Sequence, residues 1–229
     1  MKILAVASEK LEITPWAGRS GPAERLYWPV RYACKMKCNG HEVYAVANGA
    51  GPVLAELAVD TAVERAGPFQ LLLSFGLCGA LDPSFAVGDI CTAVSVSDGA
   101  STWHARPLPG AKEIRLLSIN RFLADRGEKA AWAAKGFQAV EMEAAAPAAY
   151  AARKGLPFIA VKVISDRAEE NFALDFNEFR DSAGNFERGR IALAALKRPF
   201  LYLPDLLRMA TRGPTVSATL GEFLVKSTF

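Results

Sequence analysis

The 229 residues are 51% hydrophobic, 22% charged and 10% aromatic, with 27 Lys and Arg against 24 Asp and Glu. That apolar mass is enough for a large folded core and excludes a disordered chain, a collagen-like repeat and a disulfide-stapled miniprotein. The net charge of +3 is scattered without a run of like sign, so nucleic acid is not an expected partner.

Residues 3–7 form a short apolar, β-leaning run closed by Ser8-Glu9-Lys10, with Glu12 just beyond its carboxyl end. The Gly- and Pro-rich stretch 14–22 predicts a loop. Residues 31–38 and 41–47 flank Asn39-Gly40, the dipeptide that most favours a tight turn, and predict a hairpin. Residues 52–66 have helical apolar spacing with Pro52 in the first turn. The unbroken apolar run 69–75 reads as a strand covered on both faces, as does 158–164, and 89–96 reads as another strand. Residues 141–154 and 186–196 predict helices. This alternation implies an α/β fold, a three-layer α/β/α sandwich around a central mixed sheet, in one domain over residues 1–196. The tail 197–229 has five Lys and Arg against two Asp and Glu, crowded apolar residues and three prolines, and predicts an appended helical pair packing on the same domain.

Cys34, Cys38, Cys78 and Cys91 lack CxxC pairing, and His41 and His104 are the only histidines, so a reduced, metal-free chain without a cofactor is expected. Residues 1–7 are too short for a signal peptide, and no segment approaches the roughly 20 apolar residues of a membrane span. These features point to a cytoplasmic protein with no membrane partner.

Ligands of α/β sheets bind at the carboxyl ends of strands. Three carboxylates lie there: Glu12, Glu143 and Asp166. Singly, each has a plain reading: Asp166 as a helix cap, Glu143 as a complement to a helix dipole, Glu12 as a solvated acid. The turns Asn48-Gly49-Ala50-Gly51 and Gly76-Leu77-Cys78-Gly79 also end strands, but isolated glycines are weak signs of a phosphate site.

Together with their neighbours these residues carry a resemblance. Val140-Glu141-Met142-Glu143-Ala144-Ala145-Ala146, Gly155-Leu156-Pro157-Phe158 and Ile164-Ser165-Asp166-Arg167-Ala168 resemble the nucleoside phosphorylase and nucleosidase superfamily, in motifs nearest to 5'-methylthioadenosine/S-adenosylhomocysteine nucleosidases. The likeness extends in order over about residues 1–196. It implies cleavage of the N-glycosidic bond of a purine nucleoside, the small-molecule partner. Asp166 would protonate the base at N7, Met142 and Glu143 would hold the ribose, and Glu12 would activate water. Such chemistry needs acids in different protonation states, Asp166 protonated and Glu143 charged. Ser165 would orient Asp166. The resemblance also puts Leu77, Cys78, Gly79 and Val163 along the nucleoside, Phe122 on the base and Phe176 on the sugar. Trp103 and Pro109, with His104 and Arg106, would line the sugar's 5' end from the neighbouring subunit of a homodimer.

Two departures matter. Phosphorylases usually have Ser where Leu77 stands and Arg before the first Gly; here Leu77 cannot donate through its side chain, which favours hydrolysis. Phosphorolysis with phosphate as co-substrate, using Arg19, is the alternative, and a non-catalytic nucleoside-binding protein is the alternative of another class. Relatives also have a helix and strand between the positions of Gly110 and Ile114, which this chain omits; the apolar tail is expected to cover the flank so bared.

Overall fold

The structure, a computed structural model, describes residues 1–181 and 184–229. β1 (Lys2–Ala7) is followed by α1 (Lys10–Ser20), whose buried stripe Ile13, Trp16 and Ala17 lies against the sheet. The loop expected over 14–22 is therefore mostly helix: helical spacing of three buried side chains outweighs the poor propensity of Pro15 and Gly18. β2 (Glu24–Leu26) lies beside β3 (Tyr32–Cys38), which turns into β4 (His41–Ala47) through Asn39 and Gly40, both at positive φ. That hairpin is the predicted one, as is α2 (Pro52–Ala66), which starts on its proline.

There follow β5 (Leu71–Ala80), β6 (Ile90–Ser97), β7 (Thr102–His104), β8 (Lys112–Ser118), α3 (Arg126–Ala133), β9 (Ala139–Glu141), α4 (Ala145–Lys154) and β10 (Phe158–Asp166). A 3-10 turn (Phe176–Phe179), α5 (Arg188–Lys197) and α6 (Pro199–Lys226) complete the chain. The helix expected from residue 141 begins at Ala145, because Glu141 ends a strand and folds its carboxylate over the Glu143 and Ala144 amides, while Ser118 Oγ accepts the Ala145 amide. The tail is one helix, not a pair; Pro204 and Pro214 lie inside it without ending it.

Among the described residues, all ten strands join one mixed sheet. β1 is parallel to β4 and β5, and β4, β3 and β2 extend one side antiparallel. On the other side β5 runs parallel to β10 and, at its end, antiparallel to β9, while β6 and β8 bridge β10 to β9 and close a ring. Gly79 thus pairs with both Val140 and Asp166, with a register shift at Ser165. Alternate residues of β1 face opposite layers: Leu4 and Val6 meet α2 and α4, whereas Ile3 and Ala5 meet Ile13 and Trp16 of α1 and Val216, Leu220 and Leu224 of α6. This is the three-layer sandwich expected. The α1–α6 seam is close: a Cβ on Gly221 would stand 2.7 Å from the Trp16 amide nitrogen, and one on Gly110, in the shortened connection, 3.6 Å from Phe223.

Candidate active site

The site forms where β5 exchanges partners. The first turn of α1 aims the Glu12 carboxylate at the carboxyl end of β5, where Oε1 accepts the Leu77 amide and Oε2 the Ser8 and Glu9 amides, each at 2.8 Å. Glu12 therefore belongs to a helix, not to the strand edge where the sequence put it. Gly76 sits at φ +140°, and a Cβ there would lie 2.4 Å from Glu12 Oε1. A Cβ on Gly79 would lie 2.8 Å from Asp166 Oδ2. The glycines of Gly76-Leu77-Cys78-Gly79 make room for two carboxylates rather than a phosphate cradle.

Asp166 ends β10. The bulge at Ser165 re-aims the strand, and Ser165 Oγ lies 2.8 Å from Asp166 Oδ1 and 3.1 Å from the Cys78 carbonyl, the orienting contact expected of it. The other oxygen, Oδ2, lies 2.5 Å from Lys129 Nζ of α3. Lys129 is 1% exposed and was not singled out in the sequence: one Lys in a helix among alanines looks like any surface lysine.

Glu143 lies in the turn between β9 and α4 and accepts the Gly51 amide at 2.9 Å. Burial, with the Glu141 carboxylate adding to it, pushes the Glu143 carboxyl up to about 8. The resemblance implied a charged Glu143, and burial beside Glu141 works against that charge while Lys162 and the Gly51 amide support it. Burial also raises Glu12, against its backbone donors and Lys162. Lys162, inside the apolar run of β10, holds Glu141 at 2.7 Å and Ser74 Oγ at 3.1 Å. Burial pulls its ammonium down, but Glu141, Glu143 and Glu12 together draw it up. A lysine in an otherwise apolar strand is a legible signal of a buried acid partner; Lys162 could have been found from it.

Phe122 stands edge-on to Phe172 and Phe176, with ring centroids 5.0 and 5.2 Å away. It divides two small cavities. One, about 40 Å³, meets Gly79, Lys129, Met142 and Asp166. The other, about 60 Å³, meets Leu77, Ser165, Asp166 and Met209 of α6. Each has space for only one or two waters at roughly 30 Å³ apiece. An open cleft of about 560 Å³ adjoins Glu143 through Gly51 and is bordered by Asn120, Asn177 and Arg180. Arg180 donates to the Asn120 and Gly184 carbonyls.

Leu77, Gly79, Phe122, Met142 and Ser165 thus border cavities with Asp166, Leu77 also donates its amide to Glu12, Phe176 packs on Phe122, and Cys78 Sγ meets the Val163 carbonyl at 3.6 Å. Trp103 and Pro109 border neither of these cavities. Trp103 borders a groove with Trp132 and Ala146 that shares Val53, Asn120 and Arg121 with the open cleft, and Pro109 is exposed at the connection facing α6. Arg19 is also remote, its guanidinium bonded to the Pro15 carbonyl on the exposed side of α1. Among the described residues no helix is long and apolar enough to cross a membrane.

Comparison with known proteins bears on the family and the fold. The chain is 28% identical over 175 residues to a purine nucleoside phosphorylase DeoD-type of Geobacillus sp. (strain WCH70), covering 63% of this chain and 74% of that one. It is 26% identical over 177 residues to a 5'-methylthioadenosine/S-adenosylhomocysteine nucleosidase of Bacillus cytotoxicus, covering 63% and 76%. Its fold matches that of the Helicobacter pylori 5'-methylthioadenosine/S-adenosyl homocysteine nucleosidase with a TM-score of 0.72 at 18% identity, over 98% of this chain and 96% of that one. The phosphorylase superfamily model matches residues 29–131 and 111–197. By its sequence and its sheet, this chain belongs to the phosphorylase superfamily.

Proposed function

We propose that the protein hydrolyses the N-glycosidic bond of a purine nucleoside, with Asp166 delivering a proton to the leaving base, Glu143 and Met142 holding the ribose, and Glu12 activating water. The observation that carries this reading is the pair of carboxylates lodged against Gly76 and Gly79, separated by Leu77 and Cys78. One acid can then serve the water and the other the base of a nucleoside lying along this segment. Breaking the bond builds an oxocarbenium-like sugar, and buried acids beside it, with an acid for the leaving group, supply what that reaction needs. The likeness to nucleosidases supports the same chemistry.

Hydrolysis is preferred to phosphorolysis because Glu12 occupies the notch at Gly76 and already takes the Leu77 amide, a donor that an incoming phosphate would use. A dianion there would face a carboxylate. The second reading, phosphorolysis, rests on the likeness to the Geobacillus phosphorylase. A homodimer in the cytoplasm completes the proposal. Trp103 and Pro109 lie away from Asp166 of their own protomer, as residues serving a neighbouring subunit would, and all four cysteines are free and buried, as suits a reducing compartment.

The test is chromatographic detection of free base from adenosine, inosine, methylthioadenosine, adenosylhomocysteine and futalosine, each with and without phosphate. Release independent of phosphate is expected. Release only with phosphate establishes the second reading, and tight nucleoside binding without release from any substrate replaces both with a binding protein.

A further inference from the structure

We infer that Lys129 supplies, through Asp166, the proton that the leaving base takes up. This rests on the nucleosidase reading above and adds to it a residue acting behind the acid. Asp166 Oδ2 faces the Lys129 ammonium, while Oδ1 lies beside the Ser165 hydroxyl, whose single proton is shared with the Cys78 carbonyl. The Lys129 ammonium is thus the cationic donor in direct contact with Asp166, with N–H bonds to share. Lys129 borders the same small cavity as Asp166, Gly79 and Met142. Its ammonium has one carboxylate and one carbonyl, that of Arg167 at 2.9 Å, as partners, with the Phe172 ring 5.6 Å away.

The helix that bears Lys129 is fastened for this placement. Asp125 caps α3 by accepting the Glu128 amide, Asn171 Oδ1 accepts the Arg126 amide, and the Phe172 amide donates to the Ala124 carbonyl. Those bonds tie both α3 and Lys129 to the segment just after Asp166. A buried ammonium is costly to desolvate, and the neighbouring Leu123 and Val140 show that apolar side chains fit the same wall. A packing role alone would not need the charge.

In the reaction the Nζ–H bond of Lys129 breaks as an O–H bond forms on Asp166 Oδ2, leaving a neutral amine. That proton passes to the purine nitrogen as the C1'–N9 electron pair withdraws onto the base. Glu12 removes a proton from the attacking water, and solvent returns one to Lys129 while taking one from Glu12. Nucleoside and water become base and sugar, with every group restored. Lys129 is thus a positioning and proton-supplying residue that acts through Asp166.

The test compares wild type, Lys129→Met and Lys129→Arg on the purine nucleoside that wild type cleaves best and on 4-nitrophenyl β-D-ribofuranoside, whose phenolate leaves without protonation. Lys129→Met should lose about 100-fold or more in kcat on the nucleoside and less than about threefold on the nitrophenyl riboside. Lys129→Arg, which keeps the charge but holds its protons too tightly to give one up, should not recover the loss, and recovery by Arg overturns the inference. If Lys129→Met does not fold, Lys129→Gln gives the same ratio with a neutral donor in place. Equal losses on both substrates, or none on either, overturn the inference. Wild-type protein that releases no base from any nucleoside overturns the nucleosidase reading itself, and this inference with it.

Discussion

Gly76 and Gly88 both adopt positive φ, +140° and +93°, yet their surroundings differ completely. A Cβ on Gly88 meets nothing within 4 Å, whereas one on Gly76 meets Glu12 Oε1 at 2.4 Å. Gly88→Ala should therefore cost only the backbone strain of a non-glycine residue at positive φ, about 1–3 kcal/mol. Gly76→Ala incurs comparable strain and in addition pushes the Glu12 carboxyl off the Leu77 amide, leaving buried partners unmatched at about 1–3 kcal/mol more. For a chain of this length each kcal/mol lowers the melting temperature by about 2–4 °C, so Gly76→Ala should melt roughly 2–12 °C below Gly88→Ala. Activity should separate the two more sharply: displacing the group proposed to activate water should lower base release by about 100-fold in Gly76→Ala, while Gly88→Ala stays near wild type. Thermal melts and base release on both purified variants decide it. Equal melting temperatures and equal turnover would refute the idea that Gly76 exists to seat Glu12.

Asp166→Asn should abolish most base release while retaining nucleoside affinity, and it should also strand Lys129 in the interior, destabilising the fold by about 3–5 kcal/mol in urea titrations. The double variant Asp166→Asn/Lys129→Met should recover most of that stability; a single variant as stable as wild type would contradict the buried pair. Glu143 titrates at about 8 in the folded protein against an ordinary 4.5, so the folded state holds its proton more tightly than the unfolded chain. That stability is complete below pH 4.5 and is lost as pH rises toward and through 8, so Glu143→Gln should flatten the decline of melting temperature between pH 5 and 9; parallel profiles would argue otherwise. Removing residues 198–229 bares Ile13 and Trp16, which Val216, Leu220 and Leu224 cover, and should markedly lower solubility and melting temperature. An unchanged melt would mean that α6 contributes nothing to the sheet's second layer.

The features that local chemistry dictates could be read from the chain alone. Asn39-Gly40 tolerates positive φ and forces the hairpin; Pro52 opens α2 at its first turn; and the apolar runs ending in Phe75 and Ile164 can only be strands covered on both faces. The motif around Met142 and Glu143 and the Ser165-Asp166 pair identified the family and most of the residues that gather at the site. α1 was hidden because Pro15 and Gly18 argue against a helix, and only docking of Trp16 and Ile13 against the sheet and α6 reverses that. Where the protons sit was hidden for a stronger reason. The charge of Glu143 depends on Glu141 and Lys162, and the partner of Asp166, at the end of a strand, is a lysine 37 residues earlier on helix α3. Propensity and periodicity are properties of neighbours along the chain and survive in the sequence; the electrostatics of a buried acid is set by which charges folding brings within a few ångströms, and that is decided only when the sheet closes around Gly79.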